Sequence, residues 1–374
     1  MKKLLISSIL LLCLVPQFAV AQSNDKKQFE AKIIEIIDQK EIEDESGQII
    51  IQQNILLKGL TEPWNGQEIH YNGISDIVVL NMTNSAYKVG DRVVMNSLVN
   101  QEGENEFFIL DLVRRNYIYL LGFLFAIVVF AVGRKKGMLS LFSLLVSFFI
   151  IIKLIIPLII NGYNPLIVAL FGSFLIMMCI MYLTEGVSKK THVGVLSVFI
   201  SLLLAFLLSI IFVNLTRLTG FSSEDVSLLA NGGNSIINFK GLLLAGILIG
   251  TLGVLDDAIL SQIEAVDQLI TVNPNLSKKE VIYSAHQIGR THIGAMVNTL
   301  FLAYAGASLP LLILFSLNTE LITFGQAMDN EFIATEIIRT LTGSIGLCLA
   351  IPIATILATY VLHCSESTKN VSLD

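Results

Sequence analysis

Asp256 and Asp257 stand side by side within GLLLAGILIGTLGVLDDAIL (241–260), a stretch otherwise composed like a membrane-spanning helix. A carboxylate in hydrocarbon costs about 3 kcal/mol or more unless it is paired, protonated or facing water, so such a pair is read as functional by default. A carboxyl held there can take up and release a proton inside the membrane, which is the chemistry of ion-coupled movement. Gly246, Gly250, Gly253 and Asp257 recur at i, i+4, i+7 and i+11, so they share one face of a helix. Gly246 and Gly250 form a Gly-x-x-x-Gly pair, which lets a second helix approach closely. Asp256 is turned about 100° aside. The expectation is a packed helix–helix seam ending at Asp257. The competing expectation is that both aspartates only mark the helix end at the lipid headgroups.

The next apolar run supplies candidate partners. In GRTHIGAMVNTLFLAYAGASLP (289–310), Gly294, Asn298 and Ala305 fall on one stripe, with Ala295, Thr299, Leu302 and Gly306 beside it. Asn298 and Thr299 are expected to hydrogen-bond across to Asp256 or Asp257. Arg290, at the start of this run, is read as a positive-inside anchor in preference to a counterion for the aspartates. His286 and His292 lack the spacing of a metal pair on one helix face, so no metal site is expected. No cofactor is expected either. Lys153, inside another apolar run, is read as a snorkelling side chain.

Composition sets the frame for these residues. The chain has 374 residues, 54% hydrophobic and only 14% charged, with a mean hydropathy of +0.73. Soluble domains carry about 25% charged residues, so an integral membrane protein surrounded by a lipid bilayer is expected. No Walker loop, dinucleotide loop or zinc-ligand spacing is present, and no basic face points to nucleic acid. Cys13 lies in the leader, Cys179 and Cys348 in apolar runs, and Cys364 near the end. They offer no disulfide framework.

Residues 1–21 have a basic start, a short apolar run and an Ala19-x-Ala21 ending, the pattern of a secretory signal cleaved after Ala21. Residues 22–116 alternate: FEAKIIEIID, QIIIQQNILLKG, QEIHYNG, DIVVLNM, DRVVMNSLVN and EFFILDLV read as strands separated by turn residues. They predict a small exported, closed, OB-like β-barrel. Residues 117–362 hold seven apolar stretches, at 117–133, 138–160, 164–183, 192–213, 240–262, 292–316 and 340–362. Each is near the ~20 residues a spanning helix requires. The loops 133–137, 185–192 and 263–291 carry most lysines and arginines, which puts them and the 363–374 tail on the cytoplasmic side. Between the fifth and sixth stretches, Ser277-Lys278-Lys279-Glu280 is a capping box, expected to open a connecting helix on or near the membrane surface. The fold class is therefore a polytopic α-helical membrane bundle of about seven spans, preceded by a small exported β-barrel.

GVLDDAILSQIEAVDQL (253–269), IGRTHIGAMVNTLFLAYAGASLPLL (288–312) and YKVGDRVVM (87–95) resemble the YibE/F-like family of bacterial multispan membrane proteins. That likeness implies location in the plasma membrane and little about activity. Gly253-Val254-Leu255-Asp256-Asp257-Ala258-Ile259, followed by a polar helix and a small-residue span ending at Pro310, is similar to a shorter part of resistance-nodulation-division transporters. In those transporters such aspartates carry protons, a role the likeness implies for Asp256 and Asp257 alone. Their following carboxylate and asparagine are replaced here by Ile263 and Glu264. Their lysine from a second bundle has no equivalent, so a second copy or a sister membrane protein would have to complete the site.

The leading expectation is a proton- or ion-coupled transporter or transport accessory using the Asp256/Asp257 pair. The alternative is a non-transporting membrane scaffold or envelope assembly factor whose outer barrel binds a partner. An intramembrane enzyme fits least, because the chain lacks a Gly-x-Gly-Asp pattern and any Ser/His or His-Glu-x-x-His constellation in its spans.

Overall fold

A computed structural model describes residues 28–43, 49–74, 86–99, 103, 105–222, 224–231, 237–317 and 323–370. The expected signal segment and the expected strand DIVVLNM lie outside the described residues. The chain divides near residue 128 into two compact units, one built on strands and one on helices.

In the first unit, β1 (Gln28–Glu43), β2 (Ile49–Gly59), β3 (Glu68–Asn72), β4 (Arg92–Val99) and β5 (Asn105–Leu112) form one antiparallel sheet in the order β3-β2-β1-β4-β5. β1 is central because it pairs with β4 through Gln28–Lys32 and with β2 through Ala31–Glu43. Register shifts at Ile33/Glu35 and Ile36/Asp38 interrupt its ladder, and such bulges bend a strand and increase its twist. Phe29, Ala31 and Ile33 alternate inward and bury with Ile55, Leu57, Val93 and Met95. Trp64 and Phe107 stack edge to face over this core with ring centroids 5.0 Å apart.

The expectation of a closed barrel is corrected to a half-barrel. β3, only five residues long, pairs with β2 alone, and no ladder joins it to β5 among the described residues. Gly59 closes the turn after β2, where a Cβ would lie 1.9 Å from the Trp64 carbonyl oxygen. Its own N–H donates to Gln67 O at 2.9 Å, and Gly66 N–H donates to Gly59 O at 2.9 Å. Gly59→Ala is expected to force the Trp64 loop outward and cost about 1–3 kcal/mol. Faster amide exchange in β2 and the 60–67 loop of the full-length protein would register it.

From Arg115 onward the chain is helical, although residues 115–128 cluster with the strand unit and the second unit starts at Val129. α1 (Arg115–Ile150) is followed by a π turn (Ile151–Ile155) and α2 (Ile156–Ile160). Then come α3 (Pro165–Thr184), α4 (Lys189–Leu215), α5 (Glu224–Asn231) and α6 (Phe239–Val272). α7 (Lys278–Ala307), α8 (Leu309–Leu317), α9 (Phe324–Asp329) and α10 (Glu331–Asn370) complete it. Among the described residues five helical stretches are long and apolar enough to cross a membrane: 115–160, 165–184, 189–215, 239–272 and 331–363.

The first of these runs to 46 residues, about 70 Å at ~1.5 Å per residue and more than twice a ~30 Å hydrocarbon layer. It is not straight. Arg134 has φ 46° and ψ −126°, and a Cβ on Gly137 would lie 2.3 Å from the Val129 carbonyl oxygen. The helix therefore breaks sharply at the GRKKG turn, bringing Gly137 against Val129. Pro157 offers no N–H and its ring crowds the carbonyl four residues earlier; the π turn immediately precedes it.

α6 is the centre of the bundle and packs on α3, α4, α7 and α10. Small residues make the close approaches. Gly346 of α10 faces Ala205 of α4, where an added Cβ would be 2.7 Å from the Ala205 Cβ. Buried hydroxyls donate back to their own helix, as Thr251 Oγ1 does to Ile247 O at 2.8 Å and Ser201 Oγ to Ser197 O at 2.8 Å. That satisfies their protons where no water is at hand.

Two expected boundaries move. The helix opened by the capping box is continuous with the next apolar stretch: α6 continues to Val272, and α7 runs unbroken from Lys278 through Ala307. Pro274 is the only proline in 263–291, and it falls in the turn between them. The last apolar helix begins at Glu331 rather than near 340, so Glu336 and Arg339 fall inside it, bonded to each other at 2.8 Å.

The capping box forms as the residue types require: Ser277 Oγ accepts from Glu280 N–H, and Ser277 N–H donates to Glu280 Oε2 at 2.8 Å. The Ser277 backbone and hydroxyl hold the Glu280 carboxyl below the usual carboxylate range. A lowered folded-state value contributes stability above the unfolded value of about 4.3. That contribution is lost as pH falls through the lower folded value. The first turn of α7 should then fray in acid, and Glu280→Gln should remove this pH dependence in amide exchange at residues 278–282.

Candidate functional site

The charged end of the helical unit sets the position of the aspartates. Lys136, in the GRKKG turn, bonds Glu185 at 3.1 Å, and Lys190 bonds Glu264 and Asp267 at 3.2 and 2.5 Å. Asp256 precedes Glu264 by eight residues on α6, about 12 Å of helix, and follows Lys240 by sixteen, about 24 Å. Along α6 it therefore follows the apolar run 241–255, while across the bundle the Glu185 carboxylate of the charged end is near enough to act on it.

The two aspartates have different surroundings. Asp256 is half-buried, and its Oδ1 is shut off from solvent with no hydrogen-bond partner in the protein. Asp257 is exposed on the neighbouring face. Asp256 lines a cleft of about 290 Å³ between the second half of α1, α3 and α6. The opposite wall carries Ser140, Ser143 and Ser147 of α1, while Ile176 and Met177 of α3 give apolar lining. Gly253 of α6 also lines it; a Cβ there would meet nothing within 4 Å, which leaves the space beside Asp256 open.

Ser140, Ser143 and Ser147 are spaced i, i+3, i+7, so one helix face presents all three. Ser143 Oγ donates to Ser140 O at 2.8 Å and Ser147 Oγ donates to Ser143 O at 2.9 Å. Their protons are committed to the helix, and their lone pairs remain for the cleft. Ile151, the first residue of the π turn, also lines this cleft; such turns recur at functional sites.

The serines escaped the sequence reading although their signal was present. LSLFSLLVS (139–147) puts a hydroxyl on every turn of one face in an apolar run. Its partner could not be found that way, because the pairing with Asp256 is set by how α1 folds back against α6.

The expected glycine seam is corrected. Gly246, Gly250, Gly253 and Asp257 do share a face, but that face is exposed. An added Cβ at Gly246 or Gly253 would meet nothing within 4 Å, and only Gly250 is approached, by the Tyr304 hydroxyl at 2.7 Å. α6 buries the opposite face through Leu248, Leu252, Leu255 and Ile259, because larger apolar side chains gain more from burial than glycines do.

The expected bonds from α7 to the aspartates are likewise absent among the described residues. Asn298 and Thr299 are exposed, and Thr299 Oγ1 donates to Ala295 O at 3.0 Å in its own helix. Arg290 is exposed with no ion pair among the described residues. Lys153 is also exposed.

α6 and α7 are joined instead at Gln262, whose side chain is fully buried. Its Nε2 donates to Ala285 O of α7 and to Thr355 Oγ1 of α10, both at 2.8 Å. Gly289 gives the room: a Cβ there would lie 2.4 Å from Ile351 Cγ2 and 2.9 Å from Gln262 Oε1. Three helices thus meet at one amide, two turns from Asp256.

Comparison with known proteins adds one finding. The family model described as YibE/F-like protein matches residues 121–364. No curated protein and no solved structure matches the chain.

Proposed function

The chain belongs to the YibE/F-like family, and from the cleft at Asp256 we propose that it is a proton- or ion-coupled membrane transporter or transport accessory protein. The observation that carries this reading is Asp256 itself, which lines a serine-bearing cleft and keeps one oxygen, Oδ1, shielded from solvent without a hydrogen-bond partner. A carboxyl left without a fixed counterion in low-dielectric surroundings is stable only if a mobile cation or proton joins it. Asp256 is the coupling group. Asp257, on the exposed face, lies outside the cleft and is not the coupling group.

The arrangement proposed around it has seven spans, with the reversal at Arg134 dividing the first long helical run and α7 with α8 supplying the sixth. The leader is cleaved, the half-barrel lies outside the plasma membrane, and the lysine-rich end of the bundle and the C-terminus face the cytoplasm. The local likeness to resistance-nodulation-division transporters supports a proton-carrying role for Asp256 by analogy only.

One observation favours a second reading, a scaffold or assembly factor: the exposed glycine face of α6 is shaped to receive another helix. The two readings separate in proteoliposomes. Coupled transport requires proton or cation flux that falls in Asp256→Asn; a scaffold gives no flux above protein-free vesicles, and Gly246→Leu would cost assembly instead.

A further inference from the structure

Resting on the coupling reading just given, we infer that the cleft between α1 and α6 is a binding site for a single alkali-metal cation. Asp256 and the hydroxyl oxygens of Ser143 and Ser147 would be its protein ligands. The cleft's side-chain polar groups are one carboxylate and three serine hydroxyls; the remaining side chains are apolar. Ser143 and Ser147 already give their protons to backbone carbonyls at 2.8 and 2.9 Å. With those protons committed, only lone pairs remain for a ligand in the cleft. An oxygen-only acceptor set repels anions and suits a hard cation.

Charge balance sets the valence. Among the described residues Asp256 is the only ionisable side chain lining the cleft; of the two carboxylates that act on it from outside the lining, Glu185 is paired with Lys136 at 3.1 Å and Asp257 is exposed on the neighbouring face. Among the described residues no three His, Cys, Asp or Glu side chains gather at one place. One carboxylate neutralises one positive charge, and an uncompensated second charge in a low-dielectric site is costly. The volume, about 290 Å³, leaves room for the ion and several waters at ~30 Å³ each. The ion keeps part of its hydration, and the three serines, one per turn of α1, offer successive oxygens along the wall.

The test is equilibrium binding of radioactive sodium to the full-length protein in lipid nanodiscs, with lithium and potassium as competitors and choline chloride holding ionic strength constant. Saturable binding in the wild type is expected. It should weaken at least about tenfold in Asp256→Asn and by a similar factor in the Ser143→Ala/Ser147→Ala pair, about 1.4 kcal/mol for each tenfold. Asp257→Asn should bind as the wild type does. If Asp256→Asn fails to fold, the serine pair decides, together with sodium-dependent thermal stabilisation of the wild type. Wild-type protein that binds no alkali ion while its proton flux still depends on Asp256 overturns the cation site and leaves the coupling reading standing. Binding unchanged by both variants also overturns it, because the ion would then sit elsewhere. Flux independent of Asp256 defeats the coupling reading instead, whatever the binding result.

Discussion

Asp256→Asn lowers coupled flux by about 100-fold or more, the scale on which a positioned proton-transfer group acts, while Asp257→Asn retains most of it. Asparagine matches aspartate in size, so the walls of the cleft around residue 256 survive the change. What disappears is the charge and the exchangeable proton. The asymmetry between neighbours follows from their settings: Asp256 lines the cleft and has one oxygen shielded from solvent, and Asp257 projects from the exposed face of the same helix. Flux in proteoliposomes of the two single variants, normalised to reconstituted protein, measures it. Equal loss in both would mean that the pair acts as one unit.

The second large effect concerns stability. Gly289→Leu should destabilise the helical unit by about 3 kcal/mol, combining overpacking with a disrupted buried amide. An added Cβ collides with Ile351 of α10 and with the Gln262 oxygen. The leucine therefore forces α7 away from both neighbours and breaks the bonds from Gln262 to Ala285 and Thr355. Gln262→Leu tests the same joint from the other side. It removes the amide but adds apolar volume, so its cost should be smaller. Gly294→Ala on the exposed face of α7, where an added Cβ meets nothing within 4 Å, should leave thermal unfolding unchanged.

The helices were largely legible because apolar runs of spanning length carry a strong signal, and the capping box at Ser277 and Glu280 stands where its residue types put it. The strands at β1, β2 and β4 could be read from alternation alone. Closure of the barrel could not, since ladder formation between β3 and β5 depends on curvature that no local pattern encodes. At the site, Asp256 and Asp257 stood out as carboxylates in apolar sequence, yet which of them faces the interior was not legible. The glycine periodicity correctly placed four residues on one face, but periodicity does not say whether a face is packed or open. Leu252, Leu255 and Ile259 compete for burial and win it. Gln262 is the last residue of the expected 240–262 stretch and carries no signal of its own there; only its position where three helices cross makes it structural.

The central claim is that the carboxyl at residue 256 exchanges a proton or cation with water from within the bundle. Infrared difference spectroscopy on the bilayer-embedded protein tests this most directly, by titrating pH in wild type and Asp256→Asn. A protonated-carboxyl band that rises and falls with pH in the wild type and is missing from the variant is the predicted result. Identical carboxyl bands in the two proteins at every pH would contradict it.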